Sequence, residues 1–172
     1  MNVIDAIRNR RSIRKFRDAN IEDEKVNIIL DAGRWAPSGM NNQPWQFIVV
    51  RSRETIDKIA QCTIYSDILR SANLLIAVFL DKDKMYDRTK DVMAIGACIQ
   101  NMLLAAHSLG LGAVWLGEIL KEKEKVNQIL DAPDSLELMA VLALGYPVEK
   151  ATSTRKALNE IVHRERYSRK SS

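Results

Sequence analysis

The chain has 172 residues, of which 47% are hydrophobic and 28% are charged. This length and composition suit one domain over residues 1–172, and they exclude a disordered or a fibrous chain because glycine and proline are scarce. Lys and Arg outnumber Asp and Glu by 26 to 22, which gives a net charge of +4. This excess of positive charge favours an anionic ligand or partner.

Local features of the sequence disfavour three further classes of protein. No apolar run reaches the roughly 18 residues that a membrane span needs, and Met1–Arg14 lacks the apolar core of a secretory signal. Cys62 and Cys98 have no metal-ligand or redox spacing, and His107 and His163 have no partner at ligand spacing. We therefore expect a cytoplasmic protein with no membrane partner, no metal site and no disulfide.

Apolar spacing and turn formers predict the elements of the first half of the chain. Helical periodicity predicts helices over residues 2–9 and 23–35. The turn-forming residues 36–44 predict a loop without regular structure, held between Trp35 and Trp45. A strand is predicted next at residues 45–50, followed by a short helix at 54–61.

Strands and helices continue to alternate in the second half. Leu74–Leu80 is so uniformly apolar that both faces of this strand are expected to be covered. Further strands are predicted at 113–116 and 138–144, with a helix at 121–130 between them. This order implies a layered sheet with helices packed on it.

The segment Val92–Leu109 predicts a long helix with apolar residues on nearly every side of its wheel. A helix without a solvent face is difficult to cover within so small a chain. We therefore expect it to lie at a subunit interface.

Positive charge is concentrated at the two ends of the chain. Arg10, Arg11, Ser12 and Arg14 follow the first helix, and their guanidinium and hydroxyl groups suit a phosphate or an electron-rich carbonyl edge. A solvated basic face is the alternative interpretation. A second basic run begins at Arg155.

The loop after the second helix is another candidate site. Backbone amides near Ser38 and Gly39, with the side chains of Asn41 and Gln43, could bind the polar edge of a heterocycle. A purely structural turn is the alternative. The glycine-rich stretch that ends at Gly117 follows a helix and opens a strand, which is the reverse of a dinucleotide-binding fingerprint.

Hydrolytic chemistry has no candidate residues in this sequence. No serine lies in a nucleophile elbow, and no pair of carboxylates stands out. If the protein is an enzyme, a cofactor is expected to supply the reactivity.

Four segments, taken in order and spacing, carry a resemblance that spans most of the chain. They read RRSIRKF at 10–16, APSGMNNQPW at 36–45, IQNMLLAAHSLGLGAVWLG at 99–117 and, more weakly, RKALNEIVH at 155–163. Together they resemble the FMN-dependent nitroreductase-like family. The resemblance implies an α+β fold of three layers, in which helices flank a central, mostly antiparallel sheet. It also implies a homodimer with two flavin sites across the interface, and a tail from about residue 150 to 172 that is extended and docks on the partner subunit.

The same resemblance implies which residues bind the cofactor. The phosphate, ribityl chain and pyrimidine edge of FMN would be held by Arg10, Arg11, Ser12 and Arg14, with Arg155 and Lys156 closing on the phosphate. The partner subunit would supply Pro37, Ser38, Gly39 and Asn41. Leu116 and Gly117 would lie beside the isoalloxazine ring, with the Gly117 amide near N5.

The reaction implied is two-electron transfer by a ping-pong mechanism. NADH or NADPH is the expected electron donor, and a nitroaromatic compound, a quinone or a related small molecule the expected acceptor, with no catalytic side chain. Two alternatives stay open: a flavoenzyme of the same fold that dehalogenates, dehydrogenates or consumes its flavin, and a basic nucleic-acid-binding module. We expect no nucleic-acid partner, since the two tryptophans fence an uncharged loop.

Overall fold

The fold is built on a five-stranded sheet in which every pairing between named strands is antiparallel. The structure is a computed structural model and describes residues 1–167. The strands are β1 (Phe16–Arg17), β2 (Trp45–Val50), β3 (Leu74–Asp81), β4 (Gly112–Leu116) and β5 (Leu136–Pro147). The helices are α1 (Val3–Asn9), α2 (Asp23–Arg34), α3 (Arg53–Ala60), α4 (Ser66–Ser71), α5 (Arg88–Ser108), α6 (Lys123–Ile129) and α7 (Leu158–Ile161).

The long strand β5 organises the sheet. It pairs with β3 from Leu136 to Leu144 and with β4 from Val141 to Gly145, while β2 pairs with the other edge of β3. Its last two residues pair with β1. The two ends of the chain therefore leave the sheet close together, since β1 follows the N-terminal segment and β5 leads into the tail.

Helices cover both faces of the sheet and give the protein three layers. Successive residues of β3 alternate between two apolar cores: Ile76 and Val78 pack with α2 and α5, whereas Ala77 and Phe79 pack with α3, α4 and α6. The prediction that both faces of this strand are covered is confirmed. The predicted α+β architecture, with a mostly antiparallel sheet between helices, is confirmed as well.

Several predicted boundaries were wrong by a few residues. Helix α5 begins at Arg88, four residues before the predicted start at residue 92, because Asp87 caps it there. The predicted helix 121–130 is divided into a 3₁₀ helix, Glu118–Glu122, and α6. Neither the short strand β1 nor the helix α4 was predicted, since both are too short to show a hydrophobic period.

The loop 36–44 also departs from the prediction. It contains a short 3₁₀ helix, Gly39–Asn41, where no regular structure was expected. Trp45 is buried beneath the loop, but Trp35 is 72% exposed and lies against the guanidinium of Arg34. The loop is therefore anchored by one tryptophan and not by two, because the end of α2 directs Trp35 outward.

Helix α5 has an apolar stripe that its own chain leaves uncovered, and its burial at a subunit interface stays a prediction. Most of its apolar residues pack on α2 and on the sheet, while Met93 is 68% exposed and Gly96, Ala97 and Leu104 are only half-buried. One chain thus covers most of the helix and leaves a narrow apolar stripe. Within residues 1–167, no helix combines the length and the apolarity needed to cross a membrane.

The tail after β5 has little regular structure apart from α7. Its apolar side chains Leu158, Ile161 and Tyr167 are exposed on their own chain. Docking of the tail on a partner subunit stays a prediction, and residues 168–172 lie outside the described residues.

We predict that Gly145→Ala destabilises the fold. A Cβ at Gly145 would lie 2.6 Å from Cβ of Phe16 and 2.5 Å from Oδ1 of Asn73, which is closer than packed atoms approach. The expected loss of unfolding free energy is about 2 kcal/mol, measured by chemical denaturation. Gly117→Ala is the matched control, because its Cβ meets nothing within 4 Å and its backbone φ of −104° suits any residue. Equal stabilities of the two variants would contradict the packing at β1 and β5.

Candidate functional site

The basic segment after α1 is fixed to the edge of the sheet. Ser12 forms a parallel bridge with Ala113 of β4, where the Ile13 amide donates to the Ala113 carbonyl at 3.1 Å. The side chains of Ile13 and Phe16 are both buried in the core beneath the segment. The cationic side chains between these anchors are therefore held in place, unlike those of a free basic arm.

This segment and the tail form one cleft of about 360 Å³. The residues that line it come from both ends of the chain: Arg10, Arg11, Ser12, Arg14, Ala151, Thr152, Ser153 and Arg155. The structure thus brings together five of the six residues that were singled out at the two basic ends, and Lys156 is not among the lining residues. They meet because Pro147, the last residue of β5, pairs with Phe16, which directly follows the basic segment.

The positive charge in this cleft has no carboxylate partner. Within residues 1–167, Arg10, Arg11, Arg14 and Arg155 form no ion pair shorter than 4 Å. Burial lowers the pKa of Arg10, and the nearby charges of Arg155 and Arg11 lower it further. The guanidinium groups repel one another, so an anion bound between them is strongly favoured.

Two of these arginines make hydrogen bonds to the backbone. Arg11 donates to the carbonyls of Arg8 and Arg10 at the end of α1, at 2.6 and 2.8 Å. Arg155 donates to the Ser153 hydroxyl and the Thr154 carbonyl. These bonds hold both side chains at the rim of the cleft.

A second, more apolar cleft of about 570 Å³ adjoins the first and shares Arg11 and Ala151 with it. Ile13, Leu111 and His107 line it. Burial, together with the charges of Arg10 and Arg11, lowers the pKa of His107. Its buried Nε2 has no hydrogen-bond partner within residues 1–167. An anionic head and an apolar body can thus be bound side by side.

Leu116 and Gly117 lie at the end of β4, whose first residues adjoin the basic segment. The Leu116 side chain is buried in the core under the sheet, so only its backbone could contact a ligand. Gly117 is solvent-exposed, and neither its φ nor its surroundings require a glycine. A bare amide at such a position suits the close approach of a flat ligand.

The loop residues from the sequence prediction form a separate cleft of about 250 Å³. Pro37, Ser38 and Gly39 line it, together with Lys90, Met93, Ala94 and Ala97 of α5. Asn41 is exposed at the edge of the loop and is not among the lining residues.

The two parts of the candidate site lie at opposite ends of α5. The basic segment contacts the C-terminal end near His107, whereas the loop contacts the N-terminal end near Asp91. These residues are 16 positions apart on one helix, which is about 24 Å at a rise of about 1.5 Å per residue. Two copies of α5 packed antiparallel about a two-fold axis would bring one part from each chain together.

Sequence reasoning missed three residues that organise the loop. Asn42 donates to Asp91, and Tyr86 lies over Gly39, where an added Cβ would overlap its hydroxyl. The signal for Asp91 was a lone carboxylate at the start of an apolar helix. The contacts of Asn42 and Tyr86 depend on tertiary structure, and the sequence carries no pattern for them.

Comparison with known proteins agrees with this architecture. The model of the Nitroreductase family matches residues 7–64 and 60–146. A provisionally named nitroreductase from Desulfovibrio desulfuricans, solved in complex with FMN, superposes with a TM-score of 0.92 at 45% identity, over 98% of this chain and 99% of that one.

Curated relatives point to the same family. A provisional NADH dehydrogenase/NAD(P)H nitroreductase of Methanothermobacter thermautotrophicus is 40% identical over 151 residues, which are 87% of this chain and 79% of the relative. Iodotyrosine deiodinase of Thermotoga neapolitana is 28% identical over 169 residues, covering 83% and 87% of the two chains. The family model matches most of this chain, and the sheet, helices and clefts described above agree with that match. The chain therefore belongs to the nitroreductase family.

Proposed function

We propose that this protein binds FMN in a homodimer and transfers two electrons from NADH or NADPH to a small-molecule acceptor. The observation that carries the proposal is the cleft in which Arg10, Arg11, Arg14 and Arg155 lie without a carboxylate partner among the described residues. It is supported by the FMN complex of the Desulfovibrio protein and by the NAD(P)H donor in the name of the Methanothermobacter relative.

The residues of the cleft fit FMN. A phosphate ester needs several charge-assisted donors, which the guanidinium groups and the Ser12 hydroxyl can supply. The adjoining cleft offers apolar surface for the rest of the molecule. Gly117 leaves open space where any other residue would place a Cβ.

The homodimer is supported by the distribution of apolar surface. Val3, Ile4 and Ile7 of α1 are exposed in the single chain, as are Trp35 and Met93. Such a set of large apolar side chains favours burial against a partner. The basic cleft and the loop cleft lie at opposite ends of α5, so one chain cannot bring both of them to one ring system. This separation also favours a dimer.

Each group of residues has a separate task in this proposal. Arg10, Arg11 and Arg155 would bind the phosphate, and Ser12 would donate to the ribityl chain or the ring edge. Arg14 would face the pyrimidine edge, where a fixed cation stabilises added negative charge. The Gly117 amide would orient the ring near N5.

The remaining groups complete the site. Pro37, Ser38, Gly39 and Asn41 would close it from the partner subunit and exclude water. FMN, when bound, supplies the chemistry by accepting a hydride equivalent from NAD(P)H and giving two electrons to the acceptor.

The acceptor class proposed is a nitroaromatic compound or a quinone. The deiodinase relative supports the alternative of a dehalogenation on the same fold. The cytoplasmic location expected from the sequence stays a prediction.

The purified protein tests this function through its colour and its response to nicotinamides. We expect a flavin absorbance spectrum, bleaching by NADH or NADPH without oxygen, and its return when a quinone or a nitroaromatic compound is added. Return with iodotyrosine alone would favour the dehalogenation alternative. A colourless protein that has no affinity for added FMN would contradict the proposal.

We predict that Arg14→Ala weakens FMN binding by about tenfold, since one charge-assisted interaction is lost. It should also lower the midpoint potential of the bound flavin, because the Arg14 cation stabilises the reduced flavin, which carries more negative charge than the oxidised form. Fluorescence titration and a reference-dye titration measure the two quantities. Lys15→Ala is the matched control, as it removes a neighbouring charge that does not line the cleft. Full flavin occupancy with an unchanged potential in Arg14→Ala would refute this role.

A further inference from the structure

Asp91 is the most deeply buried charged side chain among residues 1–167. Its exposed fraction is 0%, whereas that of Asp81, the other buried charged residue, is 8%. A carboxylate withdrawn from water destabilises a fold unless hydrogen bonds replace its hydration. The partners of Asp91 therefore indicate what its burial accomplishes.

All the hydrogen bonds of Asp91 reach segments that precede its helix. Its Oδ2 accepts from the backbone amides of Tyr86 and Asp87 at 3.0 and 3.1 Å, and its Oδ1 accepts from Nδ2 of Asn42 at 2.7 Å. The same Asn42 nitrogen donates to the Lys84 carbonyl at 3.1 Å. Because both of its neighbours are acceptors, the Asn42 amide has a single favourable orientation.

The carboxylate is ionised despite its burial. Desolvation raises the pKa of Asp91, but the hydrogen bonds from Asn42 and the two backbone amides, with the charge of Lys90, lower it to below its ordinary value. The charged form is therefore the one that holds Asn42.

The loop fastened by Asn42 has a strained backbone. Met40 and Asn41 have φ of 54° and Gln43 has φ of 47°, so three residues other than glycine occupy the left-handed region. Such residues cost about 1 kcal/mol or more each and persist only where surrounding contacts enforce them. Within the loop, Ser38 Oγ accepts from the Gln43 amide at 3.0 Å. The link from Asn42 to Asp91 is what ties this loop to the rigid helix.

Capping of α5 explains only one of the side-chain hydrogen bonds of Asp91, the one that it accepts from the backbone amide of the N-cap residue Asp87. The N-cap of this helix is Asp87, whose side chain accepts from the Lys90 amide at 3.0 Å. The backbone of Tyr86, which Asp91 also holds, places an aromatic ring over Gly39. The other two hydrogen bonds of Asp91, from Asn42 and from Tyr86, thus both lead to the same loop.

We propose that Asp91 is a positioning residue for the cofactor site: through Asn42 and Tyr86 it holds Pro37–Asn41 in the strained conformation that meets the flavin of the partner subunit. This inference rests on the proposed function. It extends that function to two residues, Asp91 and Asn42, that do not themselves touch the cofactor.

Asp91→Asn tests the inference with little change in volume. The new amide group would face a donor, either from Asn42 or from the backbone. We expect about tenfold weaker FMN binding, in line with the cost of a buried unpaired donor. We also expect faster hydrogen exchange of the amides of residues 38–43 in the protein freed of FMN, measured by mass spectrometry.

Asp81→Asn is the matched control. It replaces the other buried carboxylate, which accepts from the Asp83 amide and from the side chain of Gln46. Asp81 meets the loop through its backbone amide, which donates to the Pro44 carbonyl and is unchanged in the variant. It is expected to change thermal stability while leaving the FMN dissociation constant and the exchange of the loop unchanged.

Asn42→Ala removes the same link from the loop side, and it tests the inference even if Asp91→Asn fails to fold. It should weaken FMN binding by a similar factor, and where the double variant folds it should show no additional loss.

The inference is overturned if Asp91→Asn and Asn42→Ala retain the wild-type FMN affinity and loop exchange. Equal effects of Asp91→Asn and Asp81→Asn at matched stability would also overturn it, since they would show a general loss of folding. A wild-type protein that does not bind FMN would instead contradict the proposed function, while the exchange measurement would still report whether Asp91 holds the loop.

Discussion

The guanidinium groups of Arg10, Arg11, Arg14 and Arg155 share one cleft and pair with no carboxylate of residues 1–167, and the unfavourable energy of that arrangement is the constraint on which the site depends. Arg10 and Arg11 follow the first helix, and Arg155 lies in the tail, so only the folded chain brings them together. Burial of Arg10 and its repulsion by Arg155 and Arg11, which lower its pKa in that order, both oppose folding. An anion bound between them offsets the repulsion, and the fold thereby links its own stability to a phosphate ligand.

The geometry of α5 adds a second constraint. The cationic cleft and the strained loop are anchored near opposite ends of a 21-residue helix. A helix of this length keeps them apart in one chain, but an antiparallel pair of helices would bring the loop of one chain to the cleft of the other. The apolar side chains exposed on α1 and the stripe along α5 supply surface for such a pairing. Cofactor binding would then depend on dimer formation.

The sequence predicted what depends on local pattern and missed what depends on tertiary contact. The uniform apolarity of Leu74–Leu80 was sufficient to predict a strand covered on both faces. The fold places Arg10, Arg11, Ser12, Arg14 and Arg155 in one cleft, whereas their role in binding FMN stays a prediction. The outward position of Trp35 and the burial of Asp91 were not predicted: the first follows from the residue at which α2 ends, and the second depends on Asn42, which is distant in sequence. The strained backbone at Met40 and Asn41 likewise follows from the contacts of Asn42 and not from residue type.

Subunit complementation tests most directly whether the site is shared between two chains. One chain would carry Arg10→Glu with Arg14→Glu, the other Ser38→Trp, each with its own affinity tag, so that only mixed pairs are purified. We expect each variant alone to lack FMN and the mixed pair to hold about one FMN per two chains, because a two-fold dimer then has one intact site. A wild-type pair with the same tags should hold about two by the same symmetry. A mixed pair without FMN, beside a fully loaded wild-type pair, would contradict a site built from both subunits.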